Sequence, residues 1–376
     1  MKIKKLLLVP EERFLEPRQA KGPLSFFGRA ARAADRRLRH PKIYSVELIF
    51  YGDLPAVLGQ ESVFALGTYL PHFLSKEIPE TCPYPSCIGV PHPTFVGADE
   101  AERILLSVDA LLVSARSWNR AGFLTAAARR RGIPVAVIDV HDHPSLYGGG
   151  NGADTERELF RGLVPGRDFD LYFKKELSLG YRADFVFPLA PSPVRPASYA
   201  FDNQAQKKLD VFYSGRPRPV AQPERQEVVS LVRREFPGAV IIEYTARGAF
   251  LTAREYWNHL AVSRMALSPS GISWDSFRHC EVGLAPKTLL IAPKPYIETA
   301  GPPLLDDQNA ILYDTECRDG RYHLSDADGL VDKIRFYLER PAERERIAGR
   351  WAEDVLSGHT VLARSRYILE TMERVL

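Results

Sequence analysis

Residues 110–138 set the tightest limit on the fold. Residues 110–114 (ALLVS) are a short apolar run of buried-strand type. Residues 119–131 then place Phe123, Leu124, Ala127 and Ala128 on one helical face, and Gly132 stops the helix. Residues 133–138 (IPVAVI) are continuously apolar, the pattern of a strand covered on both faces. Strand, helix and strand in about 30 residues make a βαβ unit, and its crossover requires a parallel sheet. Further strands are expected at 5–9, 44–51, 169–173 and 183–189.

The pattern then breaks and restarts. Pro188, Pro191, Pro193 and Pro196, followed by the polar run 202–208, read as a domain boundary. Beyond it the order is strand 210–213, helix 224–236, strand 239–244, helix 255–260, strand 265–268, helix 275–284, strand 288–292, strand 310–313 and helix 328–340. Pro341 opens the next helix. The fold class is therefore α/β, with two Rossmann-like domains facing a cleft. The expected division is 1–195, a linker at 196–208, 209–358, and a final helix at 359–376 packing back toward the first domain.

Composition narrows the function. The 376 residues carry 50 Lys+Arg against 47 Asp+Glu, a net charge of +3. That balance argues against a dedicated nucleic-acid binder. No apolar run approaches the roughly 20 residues of a membrane span. The basic-then-apolar start, residues 1–9, is followed by Glu11 and Glu12 rather than a small-residue cleavage site, so it reads as a first strand. Four cysteines fit a reducing, cytoplasmic setting. Cys82 and Cys87 have half of a zinc-site spacing, but no second pair follows.

Several segments could carry chemistry. Gly215, Arg216 and Arg218 leave the strand 210–213, where a glycine lets backbone approach a phosphate and arginines pair with it; solvated arginines on a plain turn are the other reading. Ser270, Gly271 and Ser273 precede a helix expected from Asp275, the approach of an anion-binding helix start. Asp275, Arg278 and Glu281 would share one face of that helix, against the plainer reading of a surface ion pair. Asp139, His141, Asp142 and His143 follow the strand IPVAVI, and so stand at the carboxyl end of a parallel strand. His and Asp there suit a general base on an acceptor hydroxyl. A metal site or a capped polar turn are the alternatives. Asp53 follows the strand 44–51 as a second candidate base, or as a solvated turn residue. Residues 148–152 are a glycine-rich cleft loop or a linker. Residues 24–42 carry six cations, against Asp35 alone, after Leu24, Phe26 and Phe27. They read as a solvated face, or as a peripheral contact with the inner, anionic face of a membrane.

From about 209 to 366 the chain resembles the donor-binding half of a GT-B glycosyltransferase. It is most similar to the group 1 glycosyltransferases and their spore-maturation-protein-like branch. The residues that carry the likeness are DVFYSGR (210–216), REYWNHLAVSRMALSPSG (254–271), WDSFRHCEVGLAPKTLLIAP (274–293), DGLVDKIRFYLERPAERERIA (328–348) and HTVLAR (359–364). DLYFKK (170–175) and ADFVFPL (183–189) are similar to that branch's strands before the linker. The resemblance implies transfer of a sugar from a nucleotide-sugar to a hydroxyl acceptor, with no cofactor required. It implies that Gly215 and Arg216 face the diphosphate, Arg278 the phosphates or sugar, and Glu281 the ribose, with Tyr244 opening the nucleobase loop. Group 1 enzymes often carry two glutamates eight positions apart; eight before Glu281 stands Ser273. That departure keeps open a non-catalytic nucleotide- or glycan-binding protein. A metal-dependent hydrolase built on Asp139–His143 is the third reading.

Overall fold

The computed structural model describes residues 1–10, 52–66, 93–141, 169–193, 205–216, 223–244, 251–271 and 274–376. The expected strand 44–51, the basic segment 24–42, Cys82, Cys87, Asp142, His143, residues 148–152, Arg218 and Ser273 lie outside them. The chain divides into two compact units: residues 1–177, 181–189 and 361–376, and residues 178–180 and 190–360.

The first unit is built on β1 (Leu6–Val9), α1 (Leu54–Leu58), β2 (Val63–Leu66), β3 (Thr94–Val96), α2 (Ala98–Ile104), β4 (Ala110–Ser114), α3 (Trp118–Arg130), β5 (Val135–Asp139), β6 (Leu171–Lys175) and β7 (Val186–Leu189). The seven strands form one sheet in the order β3-β2-β1-β4-β5-β6-β7. Every neighbouring pair is parallel. Strands of this kind are apolar on both faces because helices cover both. Leu7, Leu111, Val113, Val135 and Val137 meet Ala121, Leu124 and Ala128 of α3 in one core. On β6, Phe173 meets Tyr367 edge to face at 6.2 Å.

The second unit begins with β8 (Leu209–Gly215), α4 (Pro223–Glu235), β9 (Val240–Glu243), α5 (Ala253–Val262) and β10 (Ser263–Leu267). It continues with α6 (Phe277–Leu284), β11 (Leu289–Pro293), β12 (Ile311–Tyr313), β13 (Thr315–Arg318), β14 (Arg321–Leu324), α7 (Ala327–Glu339) and α8 (Pro341–Gly358). Its sheet runs β9-β8-β10-β11-β12, all parallel. The pleat sorts the strands' side chains. Val211, Tyr213, Met265 and Leu267 face α4 and α7. Phe212, Ala266, Leu290 and Leu312 face α5, α6 and α8. The last helix, α9 (Val361–Val375), belongs to the first unit.

Two shifted boundaries and one unexpected hairpin are informative. Strand 169–173 is shifted to 171–175, because pairing with β5 starts at Leu171 opposite Ala136 and leaves Phe169 packed before the strand. Helix 275–284 starts only at Phe277, where the Ser276 hydroxyl accepts from the Arg278 N–H as N-cap. The hairpin β13–β14 had not been expected. Its turn, Asp319-Gly320, has φ of 50° and 71° at its two residues, the hairpin geometry that Asp-Gly favours.

Candidate functional site

The strand order of the second unit reverses between β8 and β10. In open parallel sheets such a switch point leaves a crevice at the strands' carboxyl ends. Gly215 ends β8 there, and Ser268–Gly271 follow β10. The ring of Tyr213 folds under the end of its own strand, so any side chain at 215 would strike its hydroxyl. Arg278 approaches from the first turn of α6. One of its Nη atoms donates to the Ser214 carbonyl, and its guanidinium lies 5.4 Å from the Tyr213 ring centre. Tyr256 of α5 donates to Glu281 Oε2 at 2.7 Å. Burial pushes the Glu281 carboxyl up, against hydrogen bonding from Tyr256 and the charge of Arg278.

Two more contacts complete the rim. The Tyr244 hydroxyl hydrogen-bonds the Ser214 hydroxyl, and its N–H donates to the Gly215 carbonyl at 2.9 Å. Arg225, in the first turn of α4, donates to the Ser270 carbonyl from Nε (2.8 Å) and Nη2 (2.6 Å), and to the Arg216 carbonyl at 3.2 Å. The loops after β8 and β10 are thus tied to one guanidinium. Beside it Glu224 is buried and accepts from the Tyr313 hydroxyl. Burial pushes Glu224 up to about 7, opposed by that hydrogen bond and by Arg225. The buried polar atoms of this site without a partner among the described residues include Arg278 Nε and the Tyr213 hydroxyl.

Gly215, Arg216, Tyr244, Ser270, Gly271, Arg278 and Glu281 thus gather at one switch point. Asp275 does not join the α6 face, because it stands in the turn before the N-cap. Tyr213, Glu224, Arg225 and Tyr256 were missed from sequence. The signal for Arg225 was a basic residue at the helix start that follows SGRPRP.

The first unit holds a second cluster, at the carboxyl end of β5. Asp139 is 0% exposed. Its Oδ1 faces His141 Nδ1 at 2.6 Å and accepts the His141 N–H at 3.0 Å. Its Oδ2 accepts from the Tyr172 hydroxyl at 2.6 Å and lies 3.2 Å from Lys174 Nζ. Burial works to raise the Asp139 carboxyl, but Lys174, His141 and Tyr172 outweigh it and hold it far below the carboxylate range. Lys174 in turn is lowered by burial, against the pull of Asp139.

Its burial and this donor set favour Asp139 as the group that orients His141, where a base had been expected. An ionised carboxylate only accepts, so His141 Nδ1 carries the proton and Nε2 the lone pair. Tyr172 and Lys174, two apart on β6, are the parts that sequence reasoning missed; paired lysines in a buried strand were the available sign. Asp53, expected as a solvated turn residue or a base, is 6% exposed at the start of α1. Burial pushes it up to about 6, and its Oδ1 has no partner among the described residues. Among those residues no group of three metal-ligating side chains gathers, and no helix is long and apolar enough to cross a membrane.

A sequence family described as "Glycosyl transferase-like" matches residues 226–370. Among solved structures, Anabaena Alr3699/HepE in complex with UDP and glucose superimposes over 99% of this chain and 100% of its own, with a TM-score of 0.55 at 10% identity. Its complex with UDP-glucose covers 98% and 99%, at 0.54 and 10%. The chain has the GT-B fold. At this identity the likeness to HepE is one of fold. No curated protein matches the sequence.

Proposed function

We propose that this GT-B protein is a glycosyltransferase that takes a sugar from a nucleoside-diphosphate sugar and passes it to a hydroxyl acceptor. The observation that carries this reading is the convergence at the β8/β10 switch point. A half-buried arginine and a buried tyrosine with unpartnered polar atoms, a glycine closely covered by that tyrosine and a carboxylate stand together where an α/β sheet binds its ligand. Arg278 and the backbone N–H groups at the end of β8 would meet the diphosphate, and Glu281 the ribose diol. HepE's complexes with UDP and UDP-glucose show that a chain of this fold holds such a donor.

In the transfer, the acceptor oxygen bonds to the anomeric carbon while the carbon–oxygen bond to the diphosphate breaks. That electron pair leaves on the phosphate oxygen. The acceptor's proton passes to a general base, for which His141 Nε2 of the first unit, its ring held through Nδ1 by Asp139, is the candidate. Arg278 opposes the charge that grows on the leaving group, an electrostatic role worth several kcal/mol in such sites (about 2.7–4 for one donor). A base at the acceptor suits a single displacement, which inverts the anomeric centre, and the Ser at 273 in place of a glutamate is in line with that.

Calorimetric titration with UDP, GDP, ADP and dTDP tests the reading. One of the four is expected to bind, with affinity falling at least tenfold in Arg278→Gln and in Glu281→Ala. Binding of none, or unchanged affinity in both variants, would overturn it.

A further inference from the structure

At the opposite edge of the second unit's sheet, the amino ends of β8, β10 and β11 border a cavity of about 450 Å³. Its wall includes Lys207, Arg264, Lys287, Arg344 and Glu345. Lys207 donates to the carbonyls of Ala261 (2.8 Å) and Pro286 (2.5 Å) and to the Thr288 hydroxyl (2.9 Å). All three are neutral. Arg344 is 3% exposed, and its Nη1 donates to the Tyr337 carbonyl at 3.0 Å. Its Nε is buried without a partner among the described residues. Arg264 has Asp210, and Lys287 has Glu345 at 2.9 Å. Among the described residues Lys207 and Arg344 have no carboxylate partner.

Half-buried Lys207 and buried Arg344 each donate only to neutral acceptors, and with Arg264 and Lys287 they outnumber the two carboxylates nearby, Asp210 and Glu345. Buried charge is normally paired, and an orphaned polar atom often marks an absent ion. Burial, with the charge of Arg344 next in weight, pushes Lys207 down to about 7, against the pull of Glu345. The cavity also receives the first turn of α8, with Pro341 on its wall. That helix has no side-chain cap, so its N-terminal N–H groups and the positive end of its dipole add to the same field.

We propose that this cavity binds a phosphate dianion, either inorganic phosphate or the monoester end of a small metabolite. With Lys207 protonated, the excess of two cations over carboxylates around the cavity matches its two charges. The site is distinct from the switch point, since the strands of the sheet run from one to the other. A dianion there would pin the amino ends of the three strands and α8 together.

Titration calorimetry at fixed ionic strength and pH 7.5 tests this, with inorganic phosphate and glycerol 3-phosphate as the two probes. The expected result is one-to-one binding that weakens at least tenfold in Lys207→Met and in Lys287→Glu, and is unchanged in Arg278→Gln at the other edge. Lys287 is 54% exposed, so the second variant reports even where Lys207→Met fails to fold. Wild type should also take up a proton on binding, read from the change of heat between two buffers, as the anion raises Lys207. Tighter binding of glycerol 3-phosphate assigns a monoester; tighter binding of phosphate assigns the free ion. No binding of either probe, binding indifferent to both cavity variants, or binding lost in Arg278→Gln would overturn the proposal.

Discussion

Asp139 and Glu224 are both buried carboxylates, yet their proton affinities move in opposite directions. Asp139 has a buried ammonium 3.2 Å away and accepts hydrogen bonds besides, so it stays ionised. Glu224 has a neutral tyrosine as its side-chain donor and the more distant charge of Arg225, so desolvation wins. The difference separates them: Asp139 faces and orients a histidine, and Glu224 accepts from Tyr313 beside the arginine that ties the loops. His141→Asn should reduce kcat by about 10²–10⁴, the range of a lost general base, with donor KM little changed. Full turnover in that variant would remove His141 from the reaction. Asp139→Asn should show a similar kcat loss together with a stability loss of about 3–5 kcal/mol, because it leaves Lys174 buried without its counter-charge. Paired activity assays and urea unfolding separate the two effects.

At the scale of elements, α6 is fixed by close approach rather than by length. It has eight residues, and Gly283 lets it settle on α8. A Cβ at 283 would lie 2.6 Å from Val355 Cγ2 and 2.9 Å from Trp351 Cδ1. Gly283→Ala should therefore cost about 1–3 kcal/mol in overpacking, more than the ~1 kcal/mol of helix propensity it gains. A urea midpoint at or above wild type would contradict this. The same element shows what could be read beforehand. Gly215, Arg278 and Glu281 were legible because strand ends and a helix start mark a switch point in any α/β chain. Tyr213, Arg225 and Tyr256 were not, because they reach the site from other elements through packing. The central strands β4, β5, β8 and β11 stood out as continuous apolar runs. The edge strand β3 and its neighbour β2 are three and four residues long and lacked that contrast. The hairpin β13–β14 is largely polar, so the Asp-Gly turn was its one sign.

For the whole molecule, the raised carboxylates set the pH response. Glu224 has its ordinary value near 4.5 when unfolded and about 7 when folded. Its contribution to stability is fully present below 4.5 and is lost as pH rises through 7. Asp53 acts alike between about 3.8 and 6. Asp139 runs the other way: its stabilisation is present above the unfolded carboxylate range and is lost as pH falls. Glu224→Gln should cancel the first loss. Relative to that variant, wild type is expected to lose on the order of 3 kcal/mol between pH 4.5 and pH 8, since each pKa unit is about 1.4 kcal/mol. Urea unfolding of both proteins across that range measures it, and parallel curves would refute it.

Helix α9 comes after the entire second unit in sequence, yet it packs on β6 and α1, and its Glu373 carboxylate accepts the Ile3 N–H at 3.0 Å. The second unit is nearly continuous, and every one of its strands and helices is made before α9 leaves the ribosome. A nascent chain therefore holds a first unit that still lacks the helix packed on β6 and α1, while the unit behind it has all of its described elements. The usual order of synthesis, first domain completed first, is turned around, and the surface of β6 and α1 that α9 covers stays uncovered until the end of translation.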